Sequence, residues 1–554
     1  MEKRDATERK LHNLVEQFRA GRLSRRDFIQ QAGLLLGGSA LASFLAAFAQ
    51  TQPATAAAPT TAPAATKKQP KKGGSLKVAI IGEPPALDPM FSSATITQNM
   101  SSQFFEGLFG RSMKYAPKPA LAESYEVTPD AKTHTIVLRK GVTFHNGKEM
   151  TSADVVASLK RYIEVSFRGR VVGKRLDQFQ AKDKYTVVGR FKDPTGLLPV
   201  YLAGFDAIIV PEEVATAAGK NQMKEFVGTG PFKFAERLPD RFTRVVRNDN
   251  YAARSGEPDG FAGRKTAYLD EIRFIPVPEV AVRSDGVTTG EYHFGEALDP
   301  DSYAYLKGNP NLNTFIVKPY YWTCMHFNKK QGMFTNVTLR KAVQKTVSVE
   351  PAARTGFGQP DFFRLQPGFA APETTWYTDV GKELYNSPNP DEAKSLLKQA
   401  GYKGEPIRWL STKDYAWNYN TALTIKGQLE AIGMKVDLQV SDWGTLVGRR
   451  GKPELWDVFM TGHEGYTHPI LQPFLDANWA GFWASEEKDR IVGALIAETD
   501  EKKAFALIQD LQNLAYKEAA FIRLADYFVL RAARKELEGY QNPADWFFWD
   551  CWLS

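Results

Sequence analysis

The sequence predicts a mixed α/β protein, and three local patterns lead to this fold class. Residues 133–138 alternate apolar and polar side chains, which is typical of a half-buried strand. Residues 389–401 begin with an asparagine and a proline, continue with apolar residues at helical spacing and end in glycine, so they predict a helix. Residues 407–440 fit a strand, a helix and a strand in succession, which favours parallel pairing in one sheet.

Further elements begin near Gly73, where we expect the folded part to start. Residues 76–81 predict the first strand, and the glycine and prolines of residues 82–85 end it. Thr151 and Asp154 have the spacing of a helix cap and its partner, followed by apolar residues along one face. No repeat of roughly 20–50 residues is visible, which argues against solenoids and propellers.

The composition is that of a globular chain whose charge is concentrated at one end. The 554 residues are 43% hydrophobic and 12% aromatic, enough for two or three packed domains. Residues 1–72 contain twelve Lys and Arg but five Asp and Glu, so they hold nearly all of the formal net charge of +8. The rest is close to neutral, which argues against a nucleic-acid partner.

The two cysteines, Cys324 and Cys551, are too far apart in sequence for a CxxC redox pair, a haem-attachment motif or a Cys-rich metal site. We therefore expect no thiolate-held cofactor. A disulfide between them is chemically allowed in an oxidising compartment. We expect that both could lie in one subdomain, which such a bond would need.

The N-terminus has the organisation of an export signal. Arg25 and Arg26 precede Phe28 and an apolar, small-residue run that ends in Ala47-Phe48-Ala49. The paired arginines resemble a twin-arginine signal, which implies the twin-arginine translocase as an export partner. We predict a signal peptide at 1–49 and a flexible Ala/Pro/Lys linker at 50–72, with an uncleaved membrane anchor as the alternative.

Several separated motifs, among them LRKGVTFHNG and GTGPF, resemble family 5 extracellular solute-binding proteins, the peptide and nickel class. They occur in the order of that family over nearly all of residues 73–554. The matching segments are 121–126, 138–147, 151–156, 228–232, 268–272 and 339–343.

The resemblance implies a two-lobed periplasmic-binding-protein (Venus flytrap) fold of the large cluster-C type, with an extra subdomain. On this basis residues 73–113, 226–322 and 523–554 form the core of lobe I, residues 114–225 its extra subdomain, and residues 323–522 lobe II. It also implies a periplasmic monomer that captures a solute by hinge closure between the lobes and delivers it to the permease of an ABC importer. We expect no catalytic residues and no cofactor.

The same resemblance and the side-chain chemistry select nine candidate ligand-binding residues. The loop after the first strand contributes the lobe I side, and lobe II supplies aromatic, imidazole and carboxylate groups that could stack on or hydrogen-bond an organic solute. The candidates are Ser92, Ser93, Thr95, Trp417, Trp443, His463, Glu464, Tyr466 and His468.

The segment 462–469 leaves the ligand class open. Peptide-binding members resemble GWxxDYxxP here, with an aspartate for the peptide ammonium. This chain lacks that aspartate, and Glu464 is the nearest carboxylate. His463, Glu464 and His468 also suit a metal or metal chelate, which is the alternative reading of the site.

Other classes of function have less sequence support. We find no convincing GxSxG, HExxH, SxxK, P-loop or dinucleotide fingerprint in a strand–helix context, so an exported hydrolase is a minor alternative. A sensor or chaperone role is not separable from transport by sequence, because the distinction lies in the partner.

Overall fold

The computed structural model describes residues 69–554, together with Gln17. The predicted signal peptide, apart from Gln17, and residues 50–68 of the predicted linker lie outside the described residues. Residues 69–554 form one unit. Within this unit, no helix is both long enough and apolar enough to cross a membrane.

The strands are numbered in chain order. They are β1 (Ser75–Ile80), β2 (Phe109–Arg111), β3 (Pro117–Pro119), β4 (Ala122–Val127), β5 (Thr133–Leu138), β6 (Leu176–Asp183), β7 (Thr186–Phe191), β8 (Phe232–Leu238), β9 (Phe242–Arg247), β10 (Glu271–Pro276), β11 (Phe294–Leu298), β12 (Leu312–Ile316), β13 (Tyr321–Phe327), β14 (Phe363–Arg364), β15 (Pro406–Ser411), β16 (Lys435–Val440), β17 (Val458–Glu464), β18 (Phe521–Tyr527), β19 (Leu530–Arg534), β20 (Leu537–Glu538) and β21 (Trp552–Leu553).

The α-helices are numbered in the same way. They are α1 (Thr95–Ser101), α2 (Ser152–Val165), α3 (Phe167–Arg175), α4 (Leu198–Leu202), α5 (Glu212–Ala218), α6 (Val280–Thr289), α7 (Tyr303–Gly308), α8 (Val337–Thr346), α9 (Val349–Phe357), α10 (Pro390–Gln399), α11 (Ala416–Ala431), α12 (Trp443–Arg450), α13 (Glu486–Ala497) and α14 (Glu501–Lys517).

Lobe I is built on a seven-stranded mixed sheet with the order β12-β19-β11-β1-β10-β9-β8. The predicted first strand is confirmed as β1, which pairs in parallel with both β10 and β11. Leu76, Val78 and Ile80 are fully buried, as expected for a central strand. The C-terminal segment covers this sheet, because Trp546 stacks on Phe274 of β10 at 5.4 Å between ring centroids.

The extra subdomain contains a four-stranded antiparallel sheet with the order β4-β5-β7-β6. The predicted alternation at residues 133–138 is confirmed, since the side chains of β5 are alternately half-buried and buried. The predicted cap of α2 is also confirmed: the Thr151 amide donates to Asp154 Oδ2 at 2.9 Å. These local hydrogen bonds fix the start of α2 beside the sheet.

Lobe II is built on a six-stranded sheet with the order β14-β18-β13-β17-β15-β16. The predicted parallel pair is confirmed, with Trp409 of β15 opposite Leu438 of β16. Helices α8 to α11 pack on one face through side chains that include Met325 and Met460. Trp322 and Phe521 pack on the other face with aromatic residues from segment 369–483.

Two short segments connect the lobe I and lobe II sheets. Residues 317–320 join β12 to β13, and residues 528–529 join β18 to β19. The boundaries expected at 322/323 and 522/523 fall inside β13 and β18. Because a strand belongs to one sheet along its whole length, sheet membership places these boundaries at 320/321 and 527/528 instead.

Candidate ligand-binding cleft

An open cavity of about 690 Å³ lies between the extra subdomain and lobe II. We call it the interlobe cavity. Its wall on the first side comes from β3, β4 and the start of α4, and its wall on the second side comes from Trp376, His468 and the α13–α14 junction. Side chains that could contact a ligand here include Tyr125, Val127, Pro199, Val200, Trp376, His468, Lys502, Phe505 and Ile508.

The interlobe cavity continues into a narrow inner end of about 20 Å³. Pro117, Val200, Trp376 and His468 line both parts, so the two are adjacent. Arg111 and Arg168 from lobe I and Glu464 from lobe II are added at the inner end. Both parts combine apolar side chains with a few charged groups, which is the usual arrangement for positioning a small ligand.

Two arginines and three carboxylates form a buried charge cluster at the inner end. Arg111 Nη2 donates to Asp545 Oδ2 at 2.8 Å, and Arg168 Nη1 donates to Asp206 Oδ1 at 3.3 Å. Across the lobes, Arg168 Nη2 lies 3.7 Å from Glu464 Oε2. The carboxylates thus outnumber the guanidinium groups by one when all are ionised.

Burial sets the electrostatics of Glu464. Loss of water raises the pKa of Glu464 above its usual range; Arg168 opposes this rise, while the negative charge of Asp545 adds to it. Burial alone would lower the pKa of Arg168, but the carboxylates of Asp206 and Glu464 outweigh it and raise that pKa. Among the described residues, Arg168 Nε has no hydrogen-bond acceptor although it is buried.

Tyr466 is fully buried beside Arg111, next to the inner end. Its hydroxyl donates to Asp545 Oδ1 at 3.0 Å, which links the lobes. The Arg111 guanidinium lies 4.2 Å from the centre of the Phe205 ring and 5.3 Å from that of Tyr466. These aromatic faces hold the Arg111 side chain in place.

Two of the residues expected from sequence, Glu464 and His468, line this inner end, and Tyr466 lies behind it. Burial lowers the pKa of His468 to about 3, so its imidazole is neutral. His468 Nδ1 accepts a hydrogen bond from the Ile470 amide at 3.1 Å, and its ring meets Trp376 edge-on at 5.0 Å. His468 therefore presents a fixed, uncharged surface to the cavity.

Thr95 joins the lobes without lining the cavity. Its Oγ1 lies 2.9 Å from the Tyr321 hydroxyl at the start of β13. The Ser92 hydroxyl accepts a bond from the Ala94 amide, and Ser93 is exposed, with its carbonyl accepting from Gln98. Gln98, on the same helix as Thr95, is the side chain from this region that lines the inner end.

Trp417 and Trp443 lie in aromatic packing of lobe II and are not brought to the interlobe cavity. Trp417 stacks on Phe357 and Tyr527 with interplanar angles of 27°. Trp443 is the first residue of α12 and meets Tyr415 edge-on at 5.2 Å.

His463 is placed in the interior of lobe II. Pairing with β13 extends β17 through Glu464, with Trp322 opposite His463. The two faces of a strand alternate, so His463 enters the core while Glu464 meets lobe I. Burial lowers the pKa of His463 to about 3.

The disulfide allowed by the sequence is not formed. Cys324 and Cys551 are two separate buried thiols, because Cys324 belongs to β13 of lobe II and Cys551 to the C-terminal segment of lobe I. The expectation that both lie in one subdomain is wrong.

Sequence reasoning missed most residues of the inner end, among them Gln98, Arg111, Arg168 and Trp376. Each comes from a different segment, and none belongs to a motif that carries the resemblance. The arginine-containing stretch SFRGR at 166–170 begins α3, where Ser166 Oγ accepts from the Arg168 amide. Nothing in that local pattern indicates that Arg168 faces Glu464 on the other lobe.

Comparison with known proteins agrees with a two-lobed binding protein. Residues 116–481 match the family described as bacterial extracellular solute-binding proteins, family 5 Middle. A probable peptide ABC transporter periplasmic-binding protein of Sinorhizobium fredii is 30% identical, covering 82% of this chain and 88% of that protein. The glutathione-binding protein GsiB of Pectobacterium atrosepticum is 26% identical, covering 84% and 90%.

The fold has a solved counterpart in the periplasmic binding protein AgaA of A. tumefaciens R10 in complex with agropinic acid. The two superpose with a TM-score of 0.74 at 24% identity, covering 87% of this chain and 99% of that one. Two lobes with a cavity lined by residues of both define the class of solute-binding proteins. This chain belongs to the family 5 extracellular solute-binding proteins and is the solute-binding component of an ABC importer.

Proposed function

We propose that this protein binds a peptide-like, zwitterionic solute in the interlobe cavity. The observation that carries the proposal is the position of Glu464, a buried carboxylate at the inner end whose nearest cation is 3.7 Å away. That distance exceeds a hydrogen bond, so the carboxylate keeps acceptor capacity that a ligand ammonium could use.

Arg168 supplies the complementary donor. Its Nε is buried without an acceptor among the described residues, and leaving a buried donor unpaired costs about 1–3 kcal/mol. A ligand carbonyl or carboxylate would relieve that cost. Glu464 and Arg168 together thus suit a molecule with a cationic group close to an oxygen acceptor, as at the start of a peptide.

The outer cavity would hold the rest of the ligand. Its aromatic and aliphatic lining accepts varied side chains, while Lys502 can pair with an acidic end. The names of the peptide transporter relative and the glutathione-binding relative support the same ligand class.

Transport would follow from lobe closure. A ligand that contacts Glu464 and Arg168 touches both lobes, so it binds the closed form better than the open one. Rotation about segments 317–320 and 528–529 would open and close the cavity. The closed protein would then dock on the permease as a periplasmic monomer, after export by the twin-arginine translocase.

Native mass spectrometry of the protein purified gently from the periplasm tests this proposal. The same sample is measured again after denaturation, so that released solute is weighed and identified. Masses equal to sums of amino-acid residues, or to a modified peptide such as glutathione, support the proposal. A single non-peptide solute or a metal chelate would contradict the ligand class while leaving the transport role intact.

A protein that carries no solute is re-measured after incubation with a mixture of synthetic di- to tetrapeptides. Failure to retain any of them contradicts the proposal.

A further inference from the structure

One cysteine and two histidines converge inside lobe II, apart from the residues that line the interlobe cavity. Cys324 and His326 lie two positions apart on β13, so their side chains are on the same face of the sheet. His463 comes from the neighbouring strand β17 on that face. The Cys324 Sγ and the His463 Nε2 lie 3.1 and 3.0 Å from the same atom, His326 Nε2.

The three side chains are enclosed by aromatic rings. Cys324 is 0% exposed, His326 1% and His463 4%. The rings of Trp479 and Phe521 lie 5.0 and 5.4 Å from the His326 ring. Water is therefore excluded. The buried polar atoms must pair with one another or with a shared bound ion.

A metal ion bound by all three side chains would use their polar atoms more completely than hydrogen bonds alone. A neutral imidazole nitrogen carries either a proton or a lone pair. If His326 Nε2 carries a lone pair, the Cys324 thiol and the His463 Nε2–H compete for it, and if it carries a proton, that single proton is shared between them. The other acceptor near the thiol, the Thr461 carbonyl, lies 3.8 Å from Cys324 Sγ. A metal ion between the three atoms would instead use one electron pair from each of them.

The spacing suits a metal ion. Metal–nitrogen bonds of about 2.0–2.1 Å and metal–sulfur bonds of about 2.3 Å place neighbouring ligand atoms roughly 3–4 Å apart. The two measured separations are at the short end of that range, and all three ligand atoms lie within 4.8 Å of one another. A small ring rotation would open the cluster around an ion.

The net charge of the buried centre favours a monovalent over a divalent ion. Cys324 already experiences the positive charge of Arg523, and His463 that of Arg450. One thiolate and a divalent ion would leave an uncompensated positive charge in an apolar interior, which is costly. One thiolate and a monovalent ion give a neutral centre.

The number of available ligands and their softness also favour a monovalent ion. Within the described part of the chain, the group contains no fourth histidine, cysteine or carboxylate, whereas structural zinc takes four ligands. Thiolate and imidazole ligands suit monovalent copper. We propose that Cys324, His326 and His463 form a site for one monovalent copper ion, whose binding releases the thiol proton to solvent.

A bound ion would join two adjacent strands of lobe II. It would stabilise the folded lobe by mass action, because the unfolded chain does not bring the three ligands together. This role is independent of solute binding in the interlobe cavity.

The test uses the full chain loaded by two routes: expression in copper-supplemented medium, and anaerobic titration with Cu(I) against a coloured Cu(I) chelator. The expected result is about one copper per chain, with Cys324→Ala and His463→Ala at least about 100-fold weaker, because loss of an outer partner alone costs about 10–100-fold. Cys551→Ala removes the other buried thiol and should bind copper as the unaltered protein does.

X-ray absorption at the copper edge on the unaltered protein keeps the proposal testable if the variants fail to fold. One sulfur and two nitrogen neighbours support it. No copper by either route, copper without a sulfur neighbour, equal binding by the triad variants, or stoichiometric zinc in place of copper would each overturn it.

Discussion

Gly196 of the extra subdomain lies directly against the backbone carbonyl of Glu498 in lobe II. A Cβ placed on Gly196 would be 2.1 Å from that oxygen, which is far inside van der Waals contact. The next amide, that of Leu197, donates to the Ile496 carbonyl at 3.3 Å. The lobes thus meet backbone to backbone at one rim of the interlobe cavity, and only glycine fits the contact.

Gly196→Ala is expected to weaken lobe closure. Forcing a methyl group into a packed contact costs about 1–3 kcal/mol, which corresponds to roughly 5- to 150-fold weaker retention of the solute. Calorimetry with the identified solute measures the affinity, and solution scattering should show a larger radius of gyration at saturation. Gly493→Ala on α13 is the matched control, since its Cβ would meet nothing within 4 Å. Equal affinities for the two variants would refute the rim contact as part of closure.

Glu464→Gln is expected to reduce solute affinity while leaving the fold intact. The amide keeps the size of the side chain but removes the charge, and a charged hydrogen bond contributes about 1.5–3 kcal/mol. The loss should be roughly 10- to 150-fold for a solute with an ammonium group. Titration calorimetry is the measurement, and Glu487→Gln, on the exposed surface beside Arg490, is the control. Unchanged binding would show that the ammonium does not reach Glu464.

His145 should make folding stability depend on pH. Its Nδ1 accepts from the Gly228 amide at 3.2 Å and its Nε2 donates to the Gly230 carbonyl at 3.0 Å, an arrangement that requires the neutral ring. Burial lowers the pKa of His145 to about 4, opposed by the Gly230 hydrogen bond and the Glu106 charge and assisted by Lys233. The unfolded ring titrates near 6.5, so stability is complete above that pH and falls as the pH drops towards 4.

The expected loss attributable to His145 is up to about 3 kcal/mol between pH 7 and pH 4. Urea unfolding at several pH values measures it, and His145→Gln, which does not titrate, should show a shallower dependence. An identical slope in both proteins would mean that His145 is protonated in the folded state as readily as in the unfolded one.

Asp88→Ala is expected to destabilise lobe I strongly. Asp88 is fully buried and accepts from Arg161 Nη1 and Nη2 at 3.3 and 2.6 Å, tying the loop after β1 to helix α2. Removing one partner of a buried ion pair costs about 3–5 kcal/mol. Chemical unfolding checks this, with Glu487→Ala on the exposed surface as the comparison. A midpoint no lower than that of Glu487→Ala would contradict the role of the buried pair.

The sequence predicted local elements well because their signals are local. The Asn389 cap is confirmed, with Oδ1 accepting from the Glu392 amide at 3.1 Å, and the helix ends at Gln399, just before Gly401. The second strand of the predicted strand–helix–strand unit is confirmed as β16 at residues 435–440. Neither feature depends on distant parts of the chain.

The candidate site was predicted only in part because it is assembled from distant segments. Glu464 and His468 were found through a local resemblance, but Arg168 meets Glu464 from almost 300 positions away. The placement of His463 depended on the register of β17 against β13, and the two faces of a strand exchange with a shift of one residue. No single segment carries that register.

The position of β19 sets an order for assembly during synthesis. The four-stranded sheet is complete once β7 has emerged, and lobe II has all of its strands by Tyr527. In lobe I, β19 lies between β11 and β12, so β12 has no neighbour in its sheet until residues 530–534 leave the ribosome. The first strands to be synthesised belong to lobe I, and its sheet is the last to be completed. Its unpaired strand edges can therefore form non-native pairings until the end of translation.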